Sequence, residues 1–230
     1  MINGLLILDK PAGLSSARAV DVVKRLLGRG VKIGHAGTLD PFATGVLVLM
    51  MGPATKLCET LMSSPKQYLA TLKLGATTAT DDPESPEIPW PTPVTEPSHD
   101  QVAAALRLFV GKIQQRPPAF SALKVAGRRA YKLARSGQPP DLPARTVEIR
   151  DIELLEFAWP SLRLRVDCGR GTYIRALARD IGQHLQTGAY LTQLRRTRVG
   201  DYGIEDAISL DKLDADALAH RLIAPHKCGG

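Results

Sequence analysis

Cysteine is scarce in this 230-residue chain. There are three, Cys58, Cys168 and Cys228, an odd number with no C-x-x-C pair, so neither a disulfide framework nor a zinc site is encoded. No apolar run approaches the roughly 18 residues that a membrane-spanning helix needs, and no membrane partner is expected. The opening Gly4-Leu5-Leu6-Ile7-Leu8-Asp9-Lys10 lacks the basic lead and long apolar stretch of a signal peptide, so a cytoplasmic compartment is expected. Also missing are a G-x-x-x-x-G-K-[ST] phosphate loop, a G-x-G-x-x-G turn after a strand, an H-E-x-x-H helix and a G-x-S-x-G elbow. Gly169-Arg170-Gly171 is too short to replace any of them. Kinase, dehydrogenase, metalloprotease and serine-hydrolase chemistry therefore have no support.

At 44% apolar residues the chain can bury a substantial core. Its 30 Lys and Arg against 23 Asp and Glu give a formal charge of +7, which suits a polyanionic partner without demonstrating one. The charge is unevenly spread. Arg107–Arg135 carries eight basic residues and no acid, and Arg163–Arg198 carries eight arginines against Asp167 and Asp180. Asp81–Asp100 carries six acids and no Lys or Arg. Folded onto one face, the two basic segments would form a phosphate-binding surface; scattered, they are ordinary solvated charge.

The pattern of apolar residues predicts a buried strand over Leu5–Leu8 and a helix capped by Ser15 or Ser16 and stopped by Gly28 and Gly30. An apolar strand follows over Val46–Met51. Over Lys66–Leu74, Tyr68, Ala70, Leu72 and Leu74 share one face. Six prolines in Asp82–Pro97 exclude a helix or a sheet interior and predict a long surface loop. Ser98 and Gln101 form a capping box ahead of a helix with Val102, Leu106, Phe109 and Val110 on its apolar face. Gly127–Gly137 reads as a short basic helix. Val147–Phe157 is strand-like, with alternation broken near Asp151. Leu162, Leu164, Val166 and Cys168 alternate with Arg163, Arg165 and Asp167. A helix with Ile174, Leu177, Ala178, Ile181 and Leu185 inward follows, and a short helix near Leu213–Ile223 closes the chain. Hairpin-like strands among scattered helices predict an α+β fold.

The most informative stretch is Gly34-His35-Ala36-Gly37-Thr38-Leu39-Asp40-Pro41-Phe42-Ala43-Thr44-Gly45, one carboxylate in a Gly- and Pro-punctuated loop. Asp40 suits an Asx-turn or cap as well as catalysis. Arg175, at the start of a helix and off its apolar stripe, suits either a surface position or an ion pair that keeps a carboxylate charged and aimed. Tyr68 fits a core tyrosine or an aromatic face for a nucleobase. His35 suits a base, a structural role or a stacking role, with no partner at metal-ligand spacing. Lys124, Arg128, Arg129, Lys132 and Arg135 suit phosphate contact.

These residues together closely resemble the bacterial TruB family, the tRNA pseudouridine-55 synthases. The matching blocks are Gly4–Pro11, Gly34–Gly45, Lys66-Gln67-Tyr68, Pro117–Val125, Gly127–Tyr131, Gly171-Thr172-Tyr173-Ile174-Arg175 and Leu194-Arg195-Arg196-Thr197, in family order over roughly residues 4–205. The resemblance implies the pseudouridine synthase fold, a mixed, mostly antiparallel central sheet with flanking helices and a catalytic cleft. It implies that Asp40 is the catalytic aspartate and that Tyr68 stacks on the target base and is a candidate to move a proton at the sugar. Arg175 would pair with the catalytic carboxylate, and Tyr173 and Leu194 would line the uracil pocket. His35 would fill the place the base has left, Lys56 matches a lysine near the site, and Asp82 matches the acid of the T-x-T-x-D segment. No cofactor is implied. The partner implied is tRNA at its T-arm and elbow, met by a monomer. An RNA-folding module is the alternative, and the Asp40, Tyr68 and Arg175 set favours an enzyme.

The chain departs from the family pattern at three places. Ala79 stands where Asp is common, Ser85 where Gly is usual, and Cys168-Gly169-Arg170 where Cys-Ser-Lys is usual. Many members continue into a small C-terminal RNA-binding domain, whereas this sequence runs about 25 residues past the end of the matching stretch near residue 205. One catalytic domain over residues 1–230 is expected, with a Pro-rich and basic insertion at about 82–145 and that C-terminal domain absent or vestigial.

Overall fold

The computed structural model describes residues 2–28, 30–121, 123–125, 127–138 and 140–224; the side chains of Lys124, Val125, Arg129, Lys132 and Arg135 lie outside the description. The fold is α+β, with helices flanking a mostly antiparallel sheet. The chain divides into two compact units. One is built from Met1–Leu69 and Leu194–Gly230, the other from Ala70–Gln193.

In the first unit the strand Gly4–Lys10 pairs antiparallel with Thr44–Met51 along its whole length, from Gly4 opposite Met51 to Lys10 opposite Gly45. Ile33–His35 runs antiparallel on the other side of Thr44–Met51. Ile208–Ser209 lies parallel to the first strand, and Arg195-Arg196 parallel to Thr44-Gly45. The unbroken apolar runs of the two long strands follow from burial on both faces. Leu6, Leu8, Leu47, Leu49 and Met51 pack with Ala19 and Val23 of the helix Ser16–Leu27 and with Leu213 and Leu218. Leu5, Ile7, Val46, Val48 and Met50 pack on the other face with Ala36, Ala54, Leu61 and Val199. The Ser15 hydroxyl caps the helix by accepting from Arg18 N–H.

In the second unit the long hairpin of Arg145–Ala158 and Ser161–Cys168 carries two register shifts, one between Ile149 and Asp151 and one between Leu154 and Glu156. The first falls where the alternation of the sequence breaks. Gly111–Gln115 pairs with Arg145–Ile149. The helix His99–Arg107 begins with the expected capping box. It is shorter than its apolar pattern suggests: Phe109 and Val110 lie past its end, and Val110 is exposed. The basic stretch after Gly127 is likewise helical only over Ala130–Arg135, because Arg128-Arg129 pairs with Lys124-Val125 as a tiny hairpin. The proline-rich segment stays at the surface, with only Glu87–Pro89 joining a two-stranded ribbon beside Ala76–Thr78. It is fastened by Glu87, which accepts from Tyr190 Oη at 2.6 Å and pairs with Lys73 at 2.7 Å.

The largest element missed in the sequence is the strand Ala189–Val199. Within the first unit Thr197 Oγ1 donates to the Gln67 carbonyl, and within the second Thr192 Oγ1 donates to the Thr71 carbonyl. This strand therefore lies beside Lys66–Leu74 in both. Arg196, an arginine on the inward face, hid its alternation.

Candidate active site

In the first unit the Asp40 loop is pinned by its main chain. Ser16 Oγ, buried at the first turn of its helix, accepts from Leu39 N–H at 2.8 Å and donates to the Leu39 carbonyl at 3.0 Å. On the other side of Asp40, the Pro41 carbonyl accepts from Gly13 N–H at 2.8 Å and from Lys10 Nζ at 3.2 Å. The fully buried Lys10 ammonium also donates to the Pro11 and Leu14 carbonyls. Arg196, 1% exposed, ties Gly37 to the sheet: Nη2 donates to the Gly37 carbonyl at 3.1 Å and Nε to the Val46 carbonyl at 2.7 Å. Ala43 N–H closes the turn onto the Asp40 carbonyl at 3.2 Å. Asp40 is half-buried between these anchors. Gly45 is required here: its φ is +102°, and a Cβ would lie 2.1 Å from the Arg196 carbonyl oxygen.

The same unit carries His35, Lys56, Tyr68 and Leu194. His35 ends its short strand half-buried. Burial lowers its pKa, the Arg196 charge acts in the same direction, and the Gly37 backbone opposes both. Its imidazole therefore stays neutral at neutral pH. Lys56 is exposed on a 3-10 turn, Gly52–Leu57. Tyr68 faces inward from Lys66–Leu74 and is 8% exposed, and Leu194 is buried.

In the second unit Arg175 is not the surface group that its place off the apolar stripe allowed. The first turns of the helix Ile174–His184 are buried all round. The Arg175 guanidinium meets Asp82 Oδ2 at 3.0 Å, with side-chain exposures of 5% and 2%. It also donates to the Thr80 carbonyl at 2.9 Å and the Phe120 carbonyl at 2.8 Å. Asp82 Oδ1 accepts from Thr80 Oγ1 and from Glu84 N–H. Ser85 bonds both the Thr80 N–H and the Thr80 hydroxyl, so the residue that replaces the usual glycine knits the loop. Next door Asp81, at φ +59°, accepts from Arg179 at 3.1 Å. Burial pushes its pKa up to about 6, against the pull of Arg179 and Arg175.

Tyr173 caps the Arg175 helix and has no side-chain cap bond of its own. Gln115, fully buried, fixes it from outside: Tyr173 N–H donates to Gln115 Oε1 at 2.8 Å, and Gln115 Nε2 donates to the Tyr173 carbonyl at 3.1 Å. The Arg145 guanidinium covers the Tyr173 ring, 5.1 Å from its centre. The sequence offered Ser16 only as a possible helix cap, a role that Ser15 takes, and did not single out Gln115 at all, because their work is main-chain bonding across 23 and 58 residues.

Six of the eight arginines in the second basic segment are engaged within the protein, while Arg163 is exposed. Arg165 pairs with Glu153, Arg175 with Asp82, Arg179 with Asp81 and Asp180, Arg195 with Asp9 and Arg198 with Glu205, while Arg196 is buried. Local charge counting missed this because those carboxylates lie mostly elsewhere in the chain. In the first segment Arg128 is exposed, and Arg116 pairs with Asp141. The side chains of Lys124 and Arg129 lie outside the described residues. Among the described residues no group of three or more His, Cys, Asp or Glu is arranged to hold a metal ion, and no helix is long and apolar enough to cross a membrane.

Comparison with known proteins decides the family. Residues 24–174 match the TruB family pseudouridylate synthase N-terminal domain, and 175–224 match the tRNA pseudouridylate synthase B C-terminal domain. The chain belongs to the TruB family. It is 49% identical over 212 residues to tRNA pseudouridine synthase B of Phocaeicola vulgatus, covering 90% of each chain. It is 48% identical over 225 residues to the protein of that name from Mycobacterium sp. (strain KMS), covering 96% of this chain and 75% of the other. Among solved structures, a chain of a Cbf5-Nop10-Gar1 complex superposes with a TM-score of 0.71 at 32% identity over 93% of this chain. A chain of an H/ACA RNP bound to a substrate RNA containing 2'-deoxyuridine superposes with a TM-score of 0.69 at 30% identity. This chain spans 54% and 52% of those two. Like its TruB relatives, it is a tRNA pseudouridine synthase, an isomerase of tRNA processing.

Proposed function

We propose that this TruB enzyme isomerises the uridine at position 55 in the T-loop of tRNA, with Asp40 as the reacting carboxylate. The observation that carries this reading is the main-chain anchoring on both sides of Asp40, through Leu39 and Pro41. An acid of purely local turn chemistry needs no such support; a group that must meet one atom of a substrate does. In the reaction the N1–C1′ bond breaks, the base turns, and a C5–C1′ bond forms. The C5 proton is lost and N1 regains one, so atoms balance without a cofactor. Asp40 acts ionised, either by attack at C1′ or C6 or by assisting a glycal route after proton loss at C2′.

The base must leave its stack first, which costs a few kcal/mol. A neutral His35 suits the vacated stack because it brings no charge among bases. Tyr68 offers a face for the flipped uracil, Leu194 and Tyr173 offer apolar wall, and Arg175, held by Asp82, supplies fixed positive charge. Lys56, Lys124, Arg128 and Arg129 grip phosphates of the T-arm, and the enzyme works as a monomer.

The test is tritium release from tRNA transcripts labelled at uracil C5, with position 55 either uridine or cytidine. Release from the first and its loss in the second is the expected result. Tight binding with no release would replace this reading with an RNA-folding module, and release that ignores position 55 would move the target elsewhere.

A further inference from the structure

We propose that Gln115 is a positioning residue for the isomerisation: its side-chain amide sets the main chain of Tyr173 and thereby the start of the helix that carries Arg175. This rests on the assignment of Tyr173 and Arg175 to the site made above.

The helix Ile174–His184 starts without a capping side chain. The Tyr173 carbonyl accepts the first helical bond, from Leu177 N–H at 3.0 Å, and also takes the Gln115 Nε2 bond at 3.1 Å. The Tyr173 N–H, which precedes the helix and has no helical acceptor, goes to Gln115 Oε1 at 2.8 Å. The amide thus copies the two-way pairing of a strand neighbour, donating and accepting with one residue. Such pairing needs a group that can donate and accept at once, and the planar side-chain amide offers the two functions side by side. Gln115 is itself fully buried at the end of Gly111–Gln115 and lies directly opposite Arg145 in the register. Cross-strand neighbours point to the same side of a sheet. One of this pair therefore holds the main chain of Tyr173 while the other, Arg145, covers its ring. Arg175 lies two residues further on. A shift of about 1 Å in such a supporting contact is enough to cost about a hundredfold in rate.

The decisive variant is Gln115→Glu. The ionised carboxylate still accepts from Tyr173 N–H but repels the Tyr173 carbonyl. The protonated acid has a donor and an acceptor side by side and restores both bonds. Burial and the Tyr173 carbonyl raise the pKa of the introduced acid, and Arg145, the charged group across the register, lowers it, so the test reads direction. Expected at neutral pH is a kcat reduced about ten- to a hundredfold with KM within about twofold. The ratio of variant to wild-type kcat should rise as pH falls. Gln115→Met, of similar size and without hydrogen bonds, should show the same loss with no recovery. A recovery confined to Gln115→Glu supports the proposal; equal, pH-independent losses in both variants, or wild-type turnover in both, overturn it. If neither variant folds, amide hydrogen exchange in the wild type decides, because a Tyr173 N–H that exchanges like a solvent-exposed amide overturns the proposal and a protected one supports it. Arg175→Ala separates the levels. Normal turnover in that variant removes the site assignment itself, whereas its inactivity beside fully active Gln115 variants overturns only the role of Gln115.

Discussion

The Asp82–Arg175 pair should show up in stability as a strong energetic coupling. Both side chains are almost wholly out of water, 3.0 Å apart, so removing one partner leaves the other's charge buried. In Asp82→Asn one carboxylate oxygen becomes an NH2. If the remaining oxygen keeps Thr80 Oγ1 and Glu84 N–H, the NH2 points donor to donor at Arg175; if it flips, those two donors lose their acceptor. Breaking a buried pair costs about 3–5 kcal/mol. The Thr80 and Phe120 carbonyls still bind the guanidinium, which places the expected loss near the lower end of that range, about 3 kcal/mol. Arg175→Met should cost a comparable amount by leaving Asp82 charged and buried. The double variant removes both charges at once and should cost clearly less than the sum. Urea unfolding of the four proteins gives the coupling directly, and a value of about 2 kcal/mol or more is expected. Additivity within about 0.5 kcal/mol, together with a loss under about 1 kcal/mol for Asp82→Asn, would refute the view that this pair fixes the Asp82 loop to the helix.

Two other perturbations probe the same supports. Ser16→Ala removes both bonds to Leu39; it should cost about 1–3 kcal/mol in urea unfolding and lower kcat more than it raises KM, and an unchanged kcat would show that the loop holds without it. Asp81 has a folded pKa of about 6 against 3.8 ordinarily, so between these values the folded state binds a proton that the unfolded chain lacks. This group's contribution to stability therefore grows as pH falls through 6 and shrinks as pH rises. Wild type should gain on Asp81→Asn by on the order of 1–3 kcal/mol between pH 7 and pH 4.5, and a constant difference in unfolding free energy across that range would contradict the assignment.

How legible the molecule was depended on whether a residue spoke through its neighbours in sequence. Lys66–Leu74 gave itself away by strict alternation, and the capping box at Ser98 by a spacing of three. The bulge near Asp151 appeared as a broken alternation. The strand Ala189–Val199 stayed hidden because Arg196 stands inward, where a pattern-based reading demands an apolar residue. Its guanidinium is buried against two carbonyls, and that compensation is invisible until the loop at Gly37 is in place. The pairing of several arginines in the second basic segment was hidden for the same reason, since their carboxylates arrive from Asp9, Asp82, Glu153 and Glu205. Asp40 and Arg175 were legible as motif residues by family resemblance. What holds them, Ser16 and Gln115, bonds to main chain far away in sequence, and no local pattern announced that role: Ser16 showed only as a possible helix cap.

The account depends above all on the carboxylate at position 40. Single-turnover tritium release by wild type and Asp40→Asn, with tRNA affinity measured in parallel, tests it most directly. Wild type should release the C5 tritium while Asp40→Asn binds the same tRNA with similar affinity and releases none. Release by Asp40→Asn at a rate near that of wild type would contradict the account.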